Sequence, residues 1–161
     1  MNKGSTGEGM GEIVRTVARW LNGIILTYGI YIVLYGHITP GGGFAGGVII
    51  ACGFILLTLA GGQQLGLSYF SKTAASSLGS AGVLLFLALA WIGMWTAGGA
   101  FLQNFIGASE EERFTLLSAG TVSIAEVGIG LVVASLLFLV FTVLAAFQIL
   151  PGSSEEEEED P

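Results

Sequence analysis

Few side chains in this sequence can do chemistry, and they fall in three short stretches. Glu126 sits in the apolar run TVSIAEVGIGLVV at 121–133. A carboxylate in such surroundings is costly to keep charged, and it is a default candidate for carrying a proton or giving a hard oxygen ligand to a cation. It has a second reading, because carboxylates are favourable near a helix N-terminus and Glu126 can simply mark the start of its helix. His37 is the single histidine, in YGHITP at 35–40. Imidazole changes charge at about pH 6.5 and can pass a proton at an interface. It can equally be a loop residue that donates to a backbone carbonyl. Thr27, Tyr28, Tyr31 and Tyr35 recur at helical spacing and form a stripe. Tyr35 suits an interfacial aromatic belt, whereas Tyr28 and Tyr31 lie too deep for one and need partners for their hydroxyls. Glu126, His37, Tyr28 and Tyr31 are therefore the candidates for an ion path.

The most unusual stretch is PGGGFAGG at 40–47. It contains a formal GxGxxG at Gly41, Gly43 and Gly46. No strand precedes it and no βαβ unit follows, so a dinucleotide site is excluded. Pro40 stops one helix and presets a turn. Gly43, Gly47 and Ala51 are spaced by four, as are Gly42 and Gly46, which predicts close packing against a neighbouring helix. The free amides at the start of the following helix can also hold an anion, or Glu126 itself. The single cysteine, Cys52, reads as a small packing residue, and no Cys/His cluster suits a metal. Neither a cofactor nor a metal site is expected.

These residues must be positioned by elements that live in a bilayer. Of 161 residues, 53% are hydrophobic and 11% charged, against roughly 25% charged in an average globular protein. The net charge is −7, but the run Glu155–Asp160 leaves the remainder near −1. Between Trp20 and Ser109 the only charged residue is Lys72. So little charge excludes an ordinary cytosolic enzyme, a nucleic-acid binder and a disordered chain.

The composition predicts an all-α integral membrane protein, a bundle of four transmembrane helices with both termini on one side. Spanning needs about 20 apolar residues, and four segments qualify: Val14–Gly36, Phe44–Gly62, Leu78–Ala97 and Thr121–Phe147. None alternates with period two, so a barrel is excluded. Residues 1–13 read as a polar N-terminal segment without a cleavable signal, 14–148 as the membrane domain, and 149–161 as an acidic disordered tail. Arg15 and Arg19 share a face and can snorkel beside Trp20. Trp91 and Trp95 read as belt residues. The loop stretch Phe101–Ile106 is apolar enough to lie on the membrane surface or on another subunit. Lys3, Arg15, Arg19 and Lys72 fall on the side of the termini, against Arg113 beside Glu110–Glu112 on the other, which predicts cytoplasmic termini. Glu126 and His37 then both lie at the outer side, Glu126 about 8 Å deep at 1.5 Å per residue.

The segment YGIYIVLYGHITPGGGFAGG at 28–47 resembles the hallmark of the MnhB/MrpB family, small subunits of multisubunit Mrp-type Na+/H+ antiporters. The stretch around Glu126 is similar to that family's last helix, which often carries a polar residue there. The likeness covers roughly residues 15–148. Related subunits occur in membrane-bound hydrogenase and sulfur-reductase complexes, and FLQNF at 101–105 is similar to the hydrogenase-type branch. The resemblance implies an accessory subunit in a prokaryotic plasma membrane. It would pack beside large antiporter-like subunits and the C-terminal part of the MnhA/MrpA protein, with lipid around it and Na+ and/or H+ as cargo. The chain itself is expected to catalyse nothing, although its complex can carry redox activity. Two alternatives stay open: a purely structural spacer, and a self-contained homo-oligomeric channel. Against the channel stands the lack of an internal repeat, since the Pro-Gly-Gly-Gly break has no counterpart in the second half.

Overall fold

In lipid a backbone must satisfy its own polar groups, and a helix does so within one segment. The apolar runs accordingly form long helices. A computed structural model describes residues 11–96, 102, 104–105 and 118–147. In it α1 is Glu12–Leu34, α2 is Gly42–Gly61, α3 is Gln63–Tyr69, α4 is Lys72–Thr96 and α5 is Thr121–Phe147. All but α3 are long and apolar enough to cross a membrane. The expectations placed on Lys3, on Glu110–Glu112 and Arg113, on most of the Phe101–Ile106 loop and on the acidic tail lie outside the described residues.

Local chemistry sets the helix ends. Tyr35 closes α1 by donating its N–H to Tyr31 O at 3.0 Å. The Ser71 hydroxyl accepts the Ala74 N–H at 3.1 Å, an N-cap that starts α4 at Lys72 rather than at Leu78. Asn104 Oδ1 accepts both the Thr121 N–H, at 3.0 Å, and the Thr121 hydroxyl, at 2.9 Å, and so caps α5 from the preceding loop. The short helix α3 has no counterpart among the expected spans. Its Gly66 lies against Thr58 of α2, and Phe70 after it stacks on Phe54 with ring centroids 4.8 Å apart. Phe138 of α5 completes this aromatic cluster and is fully buried.

The helices follow one another in the order α1, α2, α5, α4, with α2 packed on both α1 and α5, and α4 packed on α5. Glycines make the contacts close. A methyl group on Gly46 would lie 2.5 Å from Val33 Cγ2 of α1, one on Gly47 would lie 2.7 Å from Gly130 O of α5, and one on Gly82 would lie 2.8 Å from Gly128 O. The two small faces of α2 are thus filled by the chain's own α1 and α5. The neighbouring helices on these faces belong to the chain itself. The expectation for Cys52 is corrected: it is exposed on the outside of α2 rather than packed. Arg15 reaches across at the end of the bundle where α1 begins and donates from Nη2 to Gly61 O at 3.4 Å, so it partly answers a free carbonyl at the end of α2 instead of only snorkelling.

Candidate functional site

The turn between α1 and α2 meets the first turns of α5 at one end of the bundle. Pro40 is exposed there, and Gly41 (φ 99°) and Gly42 (φ 55°) take left-handed backbone conformations that favour glycine. No side chain from the turn caps α2 at Gly41. The cap comes instead from α5. Glu126 Oε2 accepts the N–H of Gly43. A methyl group on Gly42 would lie 2.5 Å from Oε2 and 2.8 Å from Oε1, and one on Gly36 would lie 3.0 Å from Oε2. One on Gly43 would run into the backbone carbonyl of Glu126. Three glycines therefore clear the space that the carboxylate fills, and the positive end of α2 faces its charge. Gly46 and Gly47 lie against α1 and α5, while Gly42 and Gly43 lie against the Glu126 carboxylate.

His37 lies beside this junction. Its Nε2 is 3.0 Å from Ser118 Oγ and its Nδ1 is 3.3 Å from Ser123 Oγ. A neutral imidazole donates from one nitrogen and accepts at the other, so the two serines take opposite roles. Ser123 is buried and stands three residues before Glu126, one helical turn away on the same face of α5. The line Ser118–His37–Ser123 thus leads from the end of the bundle to within a turn of the carboxylate. On its other side Glu126 borders a cavity of about 250 Å³ between α4 and α5, lined also by Phe86, Leu89, Leu102, Thr121 and Ile129. The acid therefore has a polar side of amides and an apolar side of hydrocarbon.

The structure brings Glu126, His37, Gly36, Gly42 and Gly43 together. It does not bring Tyr28 and Tyr31 to them. Gly29, Ile32 and Val33 form the buried side of α1, and Tyr28 and Tyr31 are 55% and 51% exposed on the other side. Ser118, Ser123 and Asn104 were not among the expected site residues. Ser123 carried a signal, a hydroxyl one turn from the acid. Ser118 and Asn104 carried none, since only the loop path decides where they fall. Among the described residues no group of three His, Cys, Asp or Glu could hold a metal ion.

Residues 13–148 match the family described as a domain related to the MnhB subunit of Na+/H+ antiporter. An uncharacterised protein of Methanocaldococcus jannaschii is 35% identical over 94% of the chain and 60% of its own length. The B-type subunit of the Bacillus subtilis Na+/H+ antiporter is 32% identical over 77% of the chain and 85% of its own length. A chain in the structure of the membrane-bound sulfane sulfur reductase, an archaeal respiratory membrane complex, superposes with a TM-score of 0.65 at 26% identity, over 88% of this chain and 63% of that one. The chain thus spans less than two thirds of the Methanocaldococcus protein and of the solved chain. A match over all four long helices, glycine turn and acid included, makes this chain a member of the MnhB family.

Proposed function

We propose that this chain is an accessory membrane subunit of a multisubunit cation/proton antiporter, or of the antiporter-like module of a respiratory complex, in which Glu126 and His37 form the outer end of a Na+/H+ route. Support comes from relatives of both kinds, a B-type antiporter subunit on one side and a respiratory membrane complex on the other. The observation that carries the reading is the placement of Glu126, held on the amides of α2 one turn from the Ser118–His37–Ser123 line. Hydroxyls and imidazole relay protons, and the carboxylate receives a proton or ligates sodium. Beyond Glu126 the route continues in a neighbouring subunit, since no further acid lies in the described spans past the first turn of α1. Partners are the large antiporter-like subunits and the C-terminal part of the MnhA/MrpA protein. The membrane is the prokaryotic plasma membrane, with the termini cytoplasmic. The chain itself serves transport and is not a catalyst. Tyr28 and Tyr31 touch a route only where a second subunit lies against α1.

The spacer reading also has an observation in its favour, the capping of α2 by the same carboxylate. Glu126→Gln separates the two. Glutamine keeps an acceptor for the Gly43 N–H but loses the charge. On the route reading the complex assembles and coupled Na+/H+ exchange in vesicles falls by about tenfold or more, in line with a functional intramembrane carboxylate. Wild-type exchange by that variant across the working pH range establishes the spacer instead.

A further inference from the structure

The exposed face of α1 carries two phenols, Tyr28 and Tyr31. Gly23, Ile24, Thr27, Tyr28 and Tyr31 line an open groove of about 490 Å³ on that face. Thr27 satisfies itself by donating to Gly23 O at 2.9 Å. The two phenols do not: among the described residues neither hydroxyl meets a hydrogen-bond partner. Their depth follows from packing. Gly29 abuts Ile49 and Ile50, in the middle of α2. Helical side chains lean toward the N-terminus, so the Tyr28 hydroxyl is set well inside the bilayer, with Tyr31, whose ring lies 5.0 Å from that of Tyr35, above it. Hydrocarbon offers no acceptor there.

The other exposed faces differ. On α4 they show Val83, Leu84 and Leu87 with Ser76, Ser77 and Ser80, short hydroxyls that can turn back to carbonyls of their own helix as Thr27 does and a phenol cannot, and on α5 Val140, Val143 and Leu144, which lipid covers at no cost. Gly23 adds room for close approach, since a methyl group built on it meets nothing within 4 Å. From this contrast we infer that the Gly23–Tyr31 face of α1 docks a transmembrane helix of a different subunit. That helix carries hydrogen-bond acceptors, polar side chains or free carbonyls, at the depth of Tyr28 and Tyr31. The inference rests on the accessory-subunit reading and adds the face through which the protein is held.

A photoreactive benzophenone amino acid at position 28 or 31, in the whole complex in native membranes, tests it. Positions 84 and 140 serve as controls. Crosslinks from 28 and 31 map by mass spectrometry to a transmembrane segment of another chain, beside a polar residue or a helix break. Positions 84 and 140 give lipid adducts. Adducts only to lipid or to a second copy of this chain at 28 and 31 overturn the inference, as does equal crosslinking to the partner from 84 or 140. In those cases co-purification of other membrane subunits leaves the accessory reading standing. A chain that purifies alone from those membranes removes both. The double variant Tyr28→Phe/Tyr31→Phe keeps the rings and removes the hydroxyls. Recovery of the complex in mild detergent falls by roughly threefold per hydroxyl, the usual worth of an interhelical hydrogen bond in membranes. Melting of the isolated protein is unchanged. Unchanged recovery of the complex overturns the inference.

Discussion

A carboxylate that caps a helix from another helix makes its glycine neighbours as sensitive as the acid itself. Gly43 is helical, so exchange for alanine improves backbone propensity by about 0.5–1 kcal/mol. Against that stands a methyl group driven into the Glu126 carbonyl and close to Oε2, at 2.8 Å. Overpacking of this kind costs about 1–3 kcal/mol, and the obstacle is backbone, which cannot swing aside. Gly43→Ala is therefore expected to lower the melting temperature of the detergent-solubilised protein. Gly23→Ala, with open space around the new methyl, should leave it level or slightly raised. A Gly43→Ala protein as stable as the parent would mean that the carboxylate does not sit on the α2 amides. At this scale the sequence was informative about type and depth and silent about direction. The end of one span and the start of another put His37 and Glu126 at the same level. The four-residue spacing of Thr27 and Tyr31 draws a stripe but says nothing of which side of α1 is covered.

At the level of elements, α2 is the helix the others depend on. It carries glycine on two sides because it must approach both α1 and α5, and this leaves it no polar face to mark its orientation. That is why the small-residue spacing was legible while its partners were not: the same pattern serves an internal helix and a foreign one. Gly47 decides between them. It lies against Gly130 O and Val133 of α5, so Gly47→Leu should cost the isolated protein at least the roughly 1–3 kcal/mol of an overpacked core. The readout is thermal unfolding of the purified chain on its own. Normal unfolding combined with failed assembly would place a foreign helix at Gly47. The four long helices followed from run length and apolarity alone. The short α3 did not, since seven residues with two glutamines show no span-length run. Its position follows from Gly66 against Thr58 and the Phe54–Phe70–Phe138 contact, which only the folded chain brings together.

Across the whole molecule, the order α1, α2, α5, α4 sets the glycine turn and the acid at one end and Ser71 with Lys72 at the other. The lysine and arginine bias predicts that the second end lies in the cytoplasm. In a Cys52→Ala background, Ile38→Cys should react with a membrane-impermeant maleimide from outside intact cells, and Ser71→Cys only after permeabilisation; both parent residues are exposed. The reverse pattern inverts the orientation. The bond between Gly43 and Glu126 also has a timetable. Its partners are 83 residues apart in the chain, and ribosomes add about 5–20 residues per second, so α2 waits roughly 4–17 s for its carboxylate. During that interval α3 and α4 are made while the first turn of α2 lacks its carboxylate. Closure is left to α5. A message broken before codon 126 thus yields not a weaker protein but an unfinished one, with the uncapped helix end that membrane quality control can recognise.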